Sequence, residues 1–241
     1  MALANISRQD GQPVYVLHTY PFKETSLVVE LLTRDFGRVA VVAKGARRPR
    51  SAMRGMLQSF QPLLAAWSGK SELRNLHSLE WGEGLLLLQG EALICGFYLN
   101  ELMLRLLPRE DAHETLFVYY GATLRTLASG NELAATLRRF ELKMLQEMGY
   151  AVPLQQDEED RPVVAEQSYY YIPERGACSL QAAQQNGVQL SGKTLLDMAL
   201  DDYSDAQTQQ QAKQLMRALI AHYLGDKPLH TRQLLIDLQG L

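Results

Sequence analysis

A change of period at Trp81-Gly82 constrains this chain more than any other feature. Before it, apolar residues fall into short runs rich in branched and aromatic side chains, the pattern of strands. The segments Val14 to Thr19, Ser26 to Thr33, Arg38 to Ala43, Leu57 to Trp67 and Ser71 to Glu80 read as five strands. Turn chemistry at Asp35-Phe36-Gly37 and Ser68-Gly69 separates two of the pairs. Lys44 to Ser51 carries Gly45 and Pro49 and reads as an exposed loop. Five short strands within about 80 residues fit a small closed barrel. An OB-fold is the economical choice and an SH3-like barrel its rival.

After Gly82 the period is helical. Glu91 to Leu107 is apolar nearly all round, as befits a helix inside a bundle, and Pro108 stops it. Asp111 with Glu114 makes a capping-box-like start for a helix to about Ala128, and Asn131 is positioned to cap the next. There Leu133, Leu137, Phe140, Met144 and Met148 step by three and four before Gly149 offers a left-handed stop. Residues 150–190 break the pattern with an acidic run, Asp157 to Asp160, and a hairpin pairing Ser168 to Ile172 with Ala177 to Leu180. Ser191 caps a short helix to about Leu200, Thr208 to Leu224 forms an amphipathic helix ended by Gly225, and a last helix covers Thr231 to Leu238. The expected class is α+β: a barrel over 1–82, helices over 83–149, a small hairpin region over 150–190, and further helices over 191–241.

Composition narrows the function classes. Hydrophobic residues at 46% and charged residues at 21% describe an ordinary globular chain, not a disordered or fibrous one. The N-terminus lacks an apolar stretch behind a basic start, and the longest strictly apolar run, Ala92 to Leu99, is far short of the roughly 20 residues that span a bilayer. The expectation is a soluble cytoplasmic protein without a membrane partner. With only Cys95 and Cys178, neither a disulfide framework nor a four-cysteine zinc site is available.

The net charge of −3 hides an asymmetry: residues 1–82 hold 11 Lys and Arg against 6 Asp and Glu. Between Phe36 and Arg54 the cations Arg38, Lys44, Arg47, Arg48, Arg50 and Arg54 occur without an acid, and Lys70 and Arg74 follow. Such a stripe repels itself unless a polyanion relieves it, so these eight residues are the candidate set for binding a phosphate backbone. Tyr20, Phe22, Phe36, Phe60 and Trp67 lie among them, fit either to stack bases or to fill the core.

Gly187 to Thr194 matches the phosphate-cradling pattern G-x-x-x-x-G-K-[ST], which would make the chain a nucleotide-hydrolysing enzyme. Its context is wrong: the preceding Gln181 to Asn186 is polar, and no further strand–helix units follow. The bland alternative is that Ser191 and Gly192 open a helix. The five histidines show no metal-ligand spacing, and Cys178 reads as a packed thiol. Arg138-Arg139, beside the apolar Leu142, suits either the grip of a carboxylate at a groove or pairing with Glu141, Glu147 or a neighbouring helix.

Taken in order, Glu24-Thr25-Ser26-Leu27, Gly37-Arg38, Ala43-Lys44-Gly45-Ala46-Arg47, Leu57-Gln58, Asn100-Glu101-Leu102, Arg138-Arg139-Phe140-Glu141-Leu142, Leu224-Gly225-Asp226-Lys227-Pro228-Leu229 and Arg232-Gln233-Leu234 resemble the RecO family of bacterial recombination mediators. The resemblance covers all but the first dozen residues. It implies an N-terminal OB-fold, a helical domain and, in many members, a four-cysteine zinc. Here residues 150–190 keep only Cys178, so a zinc-free hairpin and no cofactor are expected. It further implies a non-enzymatic, nucleoid-associated role in DNA repair. That role comprises binding of ssDNA and dsDNA, strand annealing, work with RecR, a functional link to RecA, and contact with the acidic C-terminal tail of single-stranded DNA-binding protein (SSB). Arg138, Arg139 and Leu142 are the candidate SSB-tail residues.

Overall fold

The computed structural model describes residues 8–82, 84–180, 187–225 and 229–231. The chain divides into two compact units, Met1–Asn131 with Leu229–Leu241, and Glu132–Pro228. The second unit is therefore inserted into the first.

In the first unit, five strands close into a barrel in the order β1-β2-β3-β5-β4, the OB-fold arrangement. They are β1 (Arg8–Phe22), β2 (Ser26–Thr33), β3 (Gly37–Ala43), β4 (Leu63–Ser68) and β5 (Leu73–Trp81). All neighbours are antiparallel except β3 and β5, which pair in parallel and seal the cylinder. Alternation sends Val29 and Leu31 of β2, and Val39 and Val41 of β3, into an apolar interior with Trp67 at zero exposure. Phe36 meets Trp67 edge-on, centroids 5.6 Å apart.

Two segments depart from the sequence expectation. The first strand is much longer than Val14 to Thr19. The stretch expected to open a strand at Leu57 instead follows a 3-10 turn over Ala52–Gly55, and β4 begins only at Leu63. Pro62 has no N–H to offer a ladder, and Phe60 adopts a left-handed φ of 72°.

Helices α1 (Gly90–Leu106) and α2 (Glu114–Ala128) follow the barrel in this unit, and residues 229–231 return to it. The expected capping box at Asp111 is absent. His113 occupies the N-cap position without a side-chain cap bond, because the Asp111 backbone is pressed against Gly37 of the barrel. A Cβ on Gly37, whose φ is +63°, would collide with the Asp111 carbonyl.

The second unit holds α3 (Leu133–Glu147), a sheet of β6 (Ser168–Ile172), β7 (Gly176–Ser179) and β8 (Val188–Ser191) in the order β7-β6-β8, then α4 (Gly192–Ala199) and α5 (Ala206–Leu224). Its core joins Leu145, Tyr171, Leu195 and Leu215, drawn from helices and sheet alike. The expected hairpin is present, with β8 added on its other side. Ser191 caps α4 by accepting from the Thr194 amide, and Gly149 and Gly225 stop α3 and α5 with positive φ. Asn131 does not cap α3; Glu132 takes that position at φ 48° without a side-chain bond. The expected helix Thr231 to Leu238 lies, beyond Thr231, outside the described residues.

Candidate nucleic-acid interface

The acid-free run does not form one surface. Lys44, Arg47, Arg48, Arg50 and Arg54 are exposed on the loop between β3 and β4, and none makes an ion pair among the described residues. The loop is built rather than limp. The Arg47 amide donates to the Thr25 carbonyl (2.9 Å), and its guanidinium donates to the carbonyls of Glu24 (3.2 Å) and Lys23 (3.5 Å). These bonds tie the loop to the turn between β1 and β2. Lys70, on the β4–β5 turn, is also exposed.

Arg38 and Arg74 are committed elsewhere. Arg38 donates to Glu30 at 3.0 Å and, through Nε and one terminal nitrogen, to the Leu107 carbonyl at 3.3 and 3.2 Å. Glu30 is only 3% exposed and also accepts from Arg109. Arg74 pairs with Glu110 at 2.7 Å. Together these bonds pin the connection between α1 and α2 onto the barrel. Sequence reasoning missed this role of Glu30 and Arg109, which lie 79 positions apart with no local pattern joining them.

Among the aromatics, Trp67 and Phe60 are buried and Phe36 is half-buried against the core. Tyr20 is 45% exposed, and Phe22 is half-buried with the Lys23 ammonium 5.3 Å from its ring centre.

In the second unit, Arg138 and Arg139 sit on α3 in different settings. Arg138 pairs at 2.7 Å with Glu141, which has no exposed side-chain surface. Arg139 bridges Asp201 (2.6 Å) and Glu132 (3.1 Å), whose side chains are 64% and 67% exposed, and lies over the Tyr203 ring. Leu142 packs against the unit's core.

Gly187 to Thr194 has no free cradle for a phosphate. The Gly192 amide donates to Gln167, the Lys193 amide to Ala165, and the Thr194 amide to the Ser191 hydroxyl. The Lys193 ammonium pairs with Asp197 and Asp205, and the preceding β8 is an antiparallel edge strand. The run is thus strand β8 followed by the start of α4, with Ser191 as its cap.

The hairpin does not fit a thiolate-held zinc either. Cys178 is buried and donates its S–H to the Gly176 carbonyl at 3.6 Å. Burial and the nearby Glu158 carboxylate push its thiol up to about 11. No cluster of three metal-ligating side chains occurs among the described residues. The acidic run instead folds along β7: the Glu158 amide bonds Ala177 at 2.9 Å, and its carboxylate pairs with Arg175. Among the described residues no helix is long and apolar enough to cross a membrane.

The sequence matches known proteins over nearly its whole length. Residues 10–84 match the family model for the recombination protein O N terminus, and residues 87–233 the model for its C terminus. The DNA repair protein RecO of Nitrosospira multiformis is 55% identical over 240 residues, covering 97% of this chain and 98% of that one. The proteins of the same name from Dechloromonas aromatica and Burkholderia pseudomallei are 51% and 52% identical; they cover 98% and 95% of this chain, and 98% and 84% of their own lengths is matched.

Proposed function

Because the chain belongs to the RecO family of DNA repair proteins, we propose that it is a recombination mediator working by binding rather than by covalent chemistry. It holds ssDNA and dsDNA on the loop of residues 44–56 and brings complementary strands together. With RecR it helps load RecA onto strands coated by SSB, at the nucleoid. The observation that carries this reading is the loop itself. Five exposed cations have no ion-pair partner among the described residues, and the Arg47 clasp fastens the loop that carries them. Phosphates replace the missing counter-charge, and releasing condensed ions drives association. Two strands neutralised on one surface also repel each other less, which favours pairing.

Five contacts predict a slope of log K against log salt of about −3.5 on single strands. Fluorescence anisotropy of a labelled oligonucleotide across a salt series measures it, and a slope near zero removes the electrostatic reading. Charge reversal of Arg47, Arg48 and Arg50 together weakens all sequences about equally. The same triple variant fails to anneal SSB-coated complementary strands.

The SSB tail is received at the Arg138–Arg139 face, with Leu142 behind it. Arg139 is 26% exposed, but its partners Asp201 and Glu132 are largely solvated, so exchanging them for a terminal carboxylate costs less than opening a buried pair. Arg138 holds a buried partner whose release is far more costly. Titration of a tail peptide shows a larger loss for Arg139→Ala than for Arg138→Ala; unchanged affinity in both sinks the assignment.

A further inference from the structure

We infer that the outer face of β1 carries a stacking step for unpaired bases, centred on Tyr20. This rests on the DNA-binding reading above and sharpens it to single strands.

The step exists because of one bulge. On β1, Val16 opposes Leu31 of β2 while His18 opposes Glu30, so Leu17 is an extra residue in the ladder. Val14 and Val16 face the barrel interior. Without the bulge, strict alternation would send His18, Tyr20 and Phe22 inward with them, since a slip of one residue exchanges the faces of a strand. With it, Thr19 and Pro21 oppose the inward Val29 and Leu27, and the three rings turn outward.

The bulge is held in place. The buried Asn100 amide of α1 donates to the Leu17 carbonyl at 2.9 Å, and the Asn100 side-chain oxygen accepts from the Tyr120 hydroxyl at 2.5 Å. A buried polar group fully used in this way fixes local geometry.

The rings sit beside the cations. Tyr20 opposes Val28, which opposes Val42 on β3, so Tyr20 lies two strand spacings, about 10 Å, from the strand that runs into Lys44. His18 packs its ring against Tyr20, centroids 4.4 Å apart at 62°, and so restrains it. Arg47 fastens the cationic loop to the turn that follows Phe22. A strand whose phosphates lie on that loop has bases free to reach the rings. A duplex does not, because its bases already stack on one another. Stacking therefore adds affinity for the unpaired form alone.

The test uses the full chain, fluorescence anisotropy, a labelled oligothymidine and a duplex of equal length at one salt concentration. Tyr20→Leu keeps apolar bulk and removes the π face; it is expected to weaken oligothymidine binding about tenfold and leave duplex affinity and the salt slope unchanged. Tyr20→Phe restores single-strand affinity. Equal losses on both ligands, or no loss on oligothymidine while the wild-type salt slope stands, overturn the stacking step and leave the electrostatic reading intact. A wild-type chain that binds neither ligand overturns both.

Discussion

Truncating Arg38 to alanine separates a structural arginine from a DNA-binding one. In Arg38→Ala the Glu30 carboxylate, 3% exposed in the wild type, keeps only Arg109 among its described partners, and the Leu107 carbonyl loses both of its guanidinium donors. Removing one partner of a buried pair costs about 3–5 kcal/mol, because the other charge is left in low dielectric. The surviving Arg109 contact moves the expected loss to the lower end, about 3 kcal/mol. For a chain of this size that lowers the melting temperature by roughly 6–12 °C. Calorimetry of wild type and variant reads this shift. The double variant Glu30→Leu/Arg38→Met removes the stranded charge, and it is expected to recover at least half of the loss. Oligonucleotide affinity measured well below both melts stays at the wild-type value. If Arg38→Ala melts like wild type while its DNA affinity falls as far as that of Arg48→Ala, Arg38 contacts phosphate and the clamp argument is wrong.

Glu101 provides a pH-dependent prediction. Burial alone would raise its carboxyl, but the amide and hydroxyl of Thr231, the amide of His230 and the Arg105 charge outweigh burial and hold it below its ordinary value. A depressed carboxyl stabilises the fold above its unfolded value, and that contribution disappears as pH falls through the folded one. The melting difference between wild type and Glu101→Gln is therefore full at neutral pH and closes in acid below the ordinary value of 4.5; a gap independent of pH contradicts it. Cys95 and Cys178 are both buried, and the Cys178 thiol is pushed up to about 11 by burial and Glu158, so a disulfide reagent at pH 8 labels them slowly until denaturant is added. Fast labelling of the native chain refutes that. Lys193→Ala leaves MgATP binding in equilibrium dialysis where it stands in wild type, since Lys193 is occupied by Asp197 and Asp205; a loss confined to the variant restores the phosphate-loop reading.

Elements fixed by local pattern were legible in the sequence. The β-branched run of β2, the alternation of β3 and the spacing along α3 and α5 carry their own period, and Ser191, Gly149 and Gly225 mark ends by side-chain or backbone chemistry alone. What depended on distant partners was not. β8 is four residues with a glutamine in its middle, and it is a strand only because β6 pairs with it. The caps expected from Asp111 and Asn131 are displaced by backbone packing and by Glu132. The same limit applies to the site. The density of cations between Phe36 and Arg54 is a sequence fact, but Arg38 leaves that group through a carbonyl 69 positions away. The outward turn of Tyr20 depends on Asn100 reaching Leu17 across 83 positions.

Asn100 and Glu101 are adjacent on α1 and bind in opposite directions along the chain: one to Leu17, the other to the backbone of His230 and Thr231. During synthesis, the first unit thus waits for the His230 and Thr231 stitch until the chain beyond the inserted unit has left the ribosome. The inserted unit, Glu132–Pro228, emerges earlier and can fold first. A nascent or prematurely ended chain stopping before residue 230 would carry a finished insert on a host whose Glu101 carboxylate still lacks its amide donors. Clearance of such fragments by proteases would start in the amino-terminal unit.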